Sequence, residues 1–231
     1  MEQFFRTELL LGKEAMDRLE KAHVAIFGVG GVGSYAAEAI VRSGVGEITL
    51  VDFDTIDITN VNRQIPALLS TVGSFKVDIL KARLLDINQK LKLHVFHQKY
   101  TADNSREFFE SHYDYLVDAI DIISSKIHLI QTCKEKNIPI ISSMGMGNKV
   151  DPCKIQITDL YKTHMCPLAK VMRKELKDRG IKSLDVVFSD EMPRKPTQSI
   201  KTESKREIPA SCAFVPPAAG LIMASHVIRN L

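Results

Sequence analysis

No two of the four cysteines, Cys133, Cys153, Cys166 and Cys212, form a C-x-x-C pair. That excludes a cysteine-based zinc knuckle and a thioredoxin-type redox motif. Four isolated cysteines in a chain of 231 residues fit a reducing, cytoplasmic setting better than a disulfide scaffold. Long uninterrupted apolar runs are missing as well. The most apolar stretch, 213–228, is broken by Pro216-Pro217 and carries His226, so no membrane span is expected. Residues 1–13 carry scattered charges around short apolar pieces, which is not the pattern of a signal peptide. Charge of one sign is also lacking. The 31 Lys and Arg against 28 Asp and Glu leave a net +3, so a nucleic-acid role would have to come from local patches. G-x-x-x-x-G-K-[ST] does not occur, which excludes a P-loop. What is present is ordinary globular composition, 45% hydrophobic and 26% charged.

Short apolar runs at 23–28, 47–53, 92–96, 113–120 and 138–142 alternate with helical spacing over 32–43, 75–88, 104–111 and 125–136. This rhythm predicts an α/β fold, doubly wound and Rossmann-like, with a mostly parallel sheet and helices on both faces. Beyond about Gly147 the rhythm loosens. A half-exposed strand at 154–158, a basic helix over 167–179 and a strand at 183–188 come first. A polar loop with three prolines over 193–209 and a closing helix over 217–231 follow. Neither a repeat nor a linker divides the chain, so one domain over 1–231 is expected.

Residues 28–33 read Gly-Val-Gly-Gly-Val-Gly, directly after a strand and opening a helix. Gly28, Gly30 and Gly33 fit G-x-G-x-x-G, where glycines permit a tight turn and let backbone N–H groups approach a phosphate at a helix N-terminus. Asp52 closes the next strand, in the place of a ribose-binding carboxylate. On that motif alone the chain would be a dinucleotide-dependent dehydrogenase. The residues that follow point elsewhere. Asp54, Asn60, Arg63, Gln64 and Lys76 cluster just past Asp52, and a nucleoside triphosphate uses such a set. Arg63 and Lys76 can neutralise charge developing at a phosphorus, and Asn60 and Gln64 can orient its oxygens. Asp121 ends another predicted strand, the place for a carboxylate holding Mg2+.

The segments Gly28-x-Gly30-Gly31-x-Gly33-Ser34, Arg42-x-Gly44-Val-Gly46, Asp52-x-Asp54, Asn60-x-Asn62-Arg63-Gln64 and Lys76 resemble the adenylation family of ubiquitin-activating, molybdopterin-synthase-activating and thiamine-sulfur-carrier-activating enzymes. The resemblance implies ATP bound over Gly28, Gly30, Gly31 and Gly33, with Asp52 on the ribose and Asp54 beside it. It places Asn60, Arg63, Gln64 and Lys76 on the triphosphate and Mg2+ on Asp121. It also implies a homodimer in which Arg6 enters the partner's ATP site, so that Arg6, Arg63, Lys76 and Asp121 form the catalytic set. Two departures narrow the branch. The paired C-x-x-C zinc sites of the sulfur-carrier branch are absent, so no zinc is expected, and a catalytic-cysteine domain has no room. The segments Ser142-Ser-Met-Gly145-Met-Gly147-Asn-Lys-Val-Asp151-Pro152, Asp159-Leu-Tyr-Lys162-Thr163-x-x-Cys166-Pro167 and Ser211-x-Ala-Phe-Val-Pro-Pro are similar to a third branch, the tRNA threonylcarbamoyladenosine dehydratases. That branch implies ATP-dependent ring closure, with loss of water, of the threonylcarbamoyl group on an anticodon-loop adenosine. The ATP-binding part would span 1–147 and the substrate-binding part 148–231.

A tRNA partner needs a cationic surface. Residues 170–182 carry six basic and two acidic residues, and 194–207 carry five basic and two acidic. Lys162, Lys170, Arg173, Lys174, Lys177, Lys205 and Arg206 are the candidate tRNA contacts, with Leu168, Val171, Met172 and Leu176 marking the helix's apolar face. The seven histidines show no metal-ligand spacing. Open alternatives are a monovalent cation beside Mg2+ and a cysteine-desulfurase sulfur relay through Cys153, Cys166 or Cys212. Three rival functions also stay open: adenylation of a ubiquitin-like sulfur carrier, an NAD-dependent dehydrogenase, and a non-catalytic tRNA scaffold.

Overall fold

The computed structural model describes residues 2–198 and 208–231. Two short helices, α1 (Phe5–Leu11) and α2 (Lys13–Lys21), precede the first strand. The elements that follow are β1 (His23–Phe27), α3 (Gly33–Arg42), β2 (Glu47–Val51), α4 (Lys76–Ile87), β3 (Lys92–Phe96), β4 (Tyr115–Asp118), α5 (Ile123–Glu135) and β5 (Ile140–Ser143). The C-terminal part adds β6 (Ile155–Asp159), α6 (Pro167–Asp178), β7 (Asp185–Ser189) and α7 (Val215–Asn230). All seven strands form one sheet in the order β3-β2-β1-β4-β5-β7-β6. Every pairing is parallel except β6 with β7. The doubly wound α/β expectation therefore holds, and the less regular C-terminal part extends the same sheet. Among the described residues no helix is long and apolar enough to cross a membrane.

Alternation along the strands decides the layers. Val24 and Ile26 of β1, Ile48 and Leu50 of β2, and Tyr115 and Val117 of β4 face one side, against Ala36, Ile40, Leu80, Leu84, Met223 and Val227 of α3, α4 and α7. Ala25, Phe27, Val51 and Leu116 face the other side, against Leu129, Ile130, Met172 and Leu176 of α5 and α6. Strands buried on both faces are apolar at most positions, which is why β1, β2 and β4 read as near-continuous runs, broken by the buried Thr49 and by polar residues at their ends.

Two sequence expectations change. The helix over 104–111 is only a 3₁₀ segment, Ser105–Phe109, whose Phe108 is driven into the core by Tyr100 and Phe96. On α6 the buried face is Ala169, Met172 and Leu176, while Val171 is exposed.

Helix α7 lies directly on α3, and Gly220 makes that contact. A β-carbon there would sit 2.3 Å from the carbonyl oxygen of Val32 and 2.9 Å from Tyr35 Cβ. Gly220→Ala should cost on the order of 1–3 kcal/mol through overpacking. The check is urea unfolding, where an unchanged midpoint would contradict the contact.

Candidate active site

A cavity of about 440 Å³ opens at the carboxyl ends of the strands. Its lining comes from the loops after β1, β2, β4 and β5 and from the segment before α7. The strand order reverses across β1 and β4, and crevices at such a reversal are where doubly wound folds bind ligands.

The glycine loop is built by close backbone approach. Gly28 has φ +87°, and a β-carbon there would meet the Ala119 carbonyl oxygen at 2.6 Å. A β-carbon on Gly33 would fall 1.8 Å from the Gly28 carbonyl oxygen. These glycines pull β1, β4 and the start of α3 together. Ser34 then closes the first turn, its N–H and Oγ–H both donating to the Gly30 carbonyl at 3.1 and 2.6 Å. Gly28, Gly30 and Gly31 line the cavity, whereas Gly33 is buried beneath it and serves packing.

Asp52 holds the loop in place. Its Oδ2 accepts from Val29 N–H at 2.8 Å, and its Oδ1 accepts from Asp54 N–H at 2.9 Å. Burial lifts its carboxyl above the ordinary value, against the pull of the Lys76 ammonium and those two N–H groups. Lys76 opens α4 and is buried, with Nζ 2.6 Å from Asp54 Oδ2. Asn60 is fixed by reciprocal capping. Its Oδ1 accepts from Asp57 N–H at 3.1 Å, while Asp57 Oδ1 accepts from Thr59 N–H at 2.8 Å.

That turn presents Arg63, whose Nη1 donates to the Thr59 carbonyl at 2.9 Å and to Asn62 Oδ1 at 2.8 Å. No carboxylate pairs with Arg63 among the described residues, and partial burial lowers its pKa. Gln64 is buried with Oε1 unpartnered. Asp121 is exposed at the cavity wall. Arg6 is exposed on α1 and does not line its own chain's cavity. The cradle therefore offers backbone N–H groups, two cationic side chains, an amide with an orphaned oxygen, and an accessible carboxylate. The N–H groups and cations fit the phosphates of a nucleoside triphosphate, and the oxygen ligands fit its divalent cation.

Sequence reading missed the layer under the site. Asp118 and Lys126 are both fully buried and pair at 2.8 Å. Ser142 Oγ donates to Asp118 Oδ2 at 2.7 Å, and Ile120 N–H donates to Oδ1 at 3.2 Å. The pair thus supports the loop carrying Asp121. A lysine inside an apolar helix was the only signal. The reading also passed over Lys99, Tyr100 and Ser125, which line the wall, and burial pushes the Tyr100 hydroxyl up to about 12.

Of the candidate tRNA contacts, Lys162, Lys170, Lys174 and Lys177 are exposed. The last three recur at i, i+4 and i+7 on α6, forming one stripe. Arg173 is turned inward, its Nη1 donating to the Thr163 carbonyl at 2.8 Å and to Thr163 Oγ1. Lys205 and Arg206 lie outside the described residues. Cys166 is buried, with Sγ 3.6 Å from where a Gly145 β-carbon would be, just behind the cavity wall. Cys212 is half-buried and Cys153 exposed. One metal-compatible cluster among the described residues, His23, Glu47 and His94, was invisible to sequence spacing because its members sit on three strands.

Fold and cavity together define a nucleotide-binding protein of the doubly wound class whose phosphate end carries adenylation-type charges. The ThiF family model matches residues 5–231, and the chain belongs to that family. It is 49% identical over 241 residues to the Bacillus subtilis tRNA threonylcarbamoyladenosine dehydratase, covering 100% of this chain and 95% of that one. The crystal structure of the Escherichia coli tRNA N6-threonylcarbamoyladenosine dehydratase in complex with ATP superimposes with a TM-score of 0.91 at 36% identity, over 99% of this chain and 93% of that one. A structure of the same enzyme with AMP matches equally, with a TM-score of 0.91 and 36% identity.

Lys126→Ala would leave Asp118 buried and unpaired, at a cost of about 3–5 kcal/mol. Thermal and urea unfolding should both report it, and a loss below about 1 kcal/mol would show that the pair is not the support described.

Proposed function

We propose that the chain is an ATP-dependent tRNA threonylcarbamoyladenosine dehydratase. The observation that carries this reading is the near-complete, 49% identical match to an enzyme of that name. The charged cavity supplies the means. A threonyl carboxylate is a poor electrophile. Its oxygen attacks the α-phosphorus of ATP, pyrophosphate leaves, and an acyl–adenylate forms. A neighbouring nucleophile of the same threonylcarbamoyl group then attacks the acyl carbon and gives up its proton. AMP departs with the carboxylate oxygen, so the net change is one water lost. No protein nucleophile is required, because well-oriented neighbouring groups reach effective concentrations on the order of 10⁵ M or more.

In this reading Arg63 and Lys76 stabilise the phosphate charge. Asn60 and Gln64 orient phosphate oxygens, and the glycine loop presents its N–H groups. Asp121 would hold Mg2+, which when bound neutralises the leaving pyrophosphate. The ATP part spans 1–147, and 148–231 holds the tRNA end. Lys162, Lys170, Lys174 and Lys177 contact backbone phosphates.

A homodimer is supported by uncovered apolar side chains in two segments. Phe5, Leu9 and Leu10 on α1 and Leu68, Leu69 and Val72 in the loop before α4 are all exposed. Arg6 is exposed on the same helix, and in such a dimer it would enter the partner's ATP site. A cytoplasmic location suits a tRNA substrate and the unpaired cysteines.

The direct test is mass spectrometry of nucleosides from tRNA that already carries threonylcarbamoyladenosine, after incubation with the protein and ATP. The expected result is loss of one water from that nucleoside, only with ATP. Unchanged nucleoside with ATP still bound would move the assignment to a sulfur-carrier-activating enzyme. Arg63→Ala and Asp121→Ala should abolish turnover while leaving the circular dichroism spectrum intact, and full activity in either would remove that residue from the site. For the tRNA surface, Lys170, Lys174 and Lys177 are replaced together by alanine. Affinity should fall, and the log–log salt slope should drop by about 1 for each phosphate no longer neutralised. An unchanged slope would place tRNA elsewhere.

A further inference from the structure

His23, Glu47 and His94 meet at the end of the sheet opposite the cavity. His23 opens β1 and pairs in register with Glu47, which opens β2. Glu47 in turn pairs with Lys92, and His94 stands two residues further along β3. Side chains two apart share a face, so the three project together, on the face that also carries Ala25 and Phe27.

Their ligand atoms are already at coordination spacing. Glu47 Oε1 lies 3.0 Å from His94 Nε2 and 3.5 Å from His23 Nδ1. All three atoms fall within 4.8 Å of one another. Around a tetrahedral Zn2+ with bonds of about 2.0–2.1 Å, neighbouring ligand atoms stand about 3.3–3.4 Å apart. The two measured separations bracket that value.

The cluster is also held from outside. His23 Nε2 is hydrogen-bonded to Thr49 Oγ1 at 2.8 Å. With that nitrogen donating, Nδ1 turns its lone pair toward Glu47, the arrangement that orients metal-binding imidazoles. The Tyr113 ring packs edge-on against His23 at 4.8 Å between centroids, and its hydroxyl donates to the Phe108 carbonyl. The His23 backbone N–H donates to Asp114 Oδ2 at 2.8 Å. Lys92 approaches the other Glu47 oxygen, Oε2, at 3.7 Å, leaving Oε1 to the cluster. Half of the His94 side chain is exposed, so an ion has a path in and room for water as a fourth ligand.

We propose that His23, Glu47 and His94 form a binding site for a zinc-class divalent transition metal at the amino-terminal edge of the sheet. Two imidazoles and a carboxylate suit Zn2+ and its neighbours rather than Mg2+ or Ca2+, which take oxygen ligands. The absence of C-x-x-C pairs does not bear on this site, because it uses no cysteine. The ion straps the outer strand β3 to β2 and β1. The site stands about 16 Å from the glycine loop, the length of five strand residues, and is independent of the proposed catalytic reading.

The test uses untagged, full-length protein stripped with a chelator and titrated with Zn2+ alone by calorimetry, with Co2+ absorption as a second probe. The expected result is one ion per chain, a tetrahedral Co2+ spectrum and a melting temperature that rises with Zn2+. His94→Ala, at an exposed position, should weaken binding at least about tenfold and abolish the rise in melting temperature. Glu47→Gln should do the same, and ATP binding should be unaffected in both. Absence of Zn2+ binding would overturn the proposal. Equal binding by wild type and both variants would overturn it too, by assigning the ion to other ligands such as the cysteines.

Discussion

One buried carboxylate sets the geometry of the phosphate end. Asp52 accepts one backbone N–H from the glycine loop after β1 and one from the loop after β2, at 2.8 and 2.9 Å. Two segments from different strand ends are thereby fixed relative to each other. The cost is visible in the raised pKa of a carboxylate drawn out of water. Lys76 offsets part of it, and Lys76 is itself placed by its pairing with Asp54. The glycines make the close approach sterically allowed, while the carboxylate makes it a single arrangement.

Below that layer a second ion pair plays a similar part with no access to ligand. Asp118 and Lys126 neutralise each other inside the protein, and Asp118 uses its remaining capacity on Ser142 and on the Ile120 N–H. The strand end is thus rigid while Asp121, a few residues on, stays exposed. A rigid base with one accessible carboxylate is suited to holding a cation against a polyphosphate. Arg63 is organised in the same spirit. Its anchors are a carbonyl and an amide, both neutral, so its charge remains available to an anion.

The two ends of the sheet divide the chemistry. The carboxyl ends of the strands carry the nucleotide cavity, and the amino ends bring His23, Glu47 and His94 together. Beyond the sheet, α6 gives its buried face to the core and leaves a lysine stripe in solvent. Helix α1 leaves its apolar side chains uncovered.

Local sequence determined the strands, because the central parallel strands, buried on both faces, are near-continuous apolar runs. It also determined the glycine loop and the group from Asp52 to Lys76, because their contacts are near in sequence or tied to consecutive strand ends. Boundaries shifted by a residue or two where a strand end yields to a loop. The 104–111 segment kept its helical spacing yet formed only a 3₁₀ turn, because packing of Phe108 into the core outweighed propensity. Tertiary structure alone decided the rest. Gly33 lies beneath the cavity with no room for a β-carbon beside the Gly28 carbonyl, and Arg173 turned from the cationic surface because Thr163 captured it. Lys126 folded back from the start of α5 onto Asp118 at the end of β4, and the histidine–glutamate cluster assembled across three strands. The cluster depends on which strands become neighbours and in what register, and the shorter-range contacts depend on how each loop and helix packs; residue spacing along the chain carries no record of either.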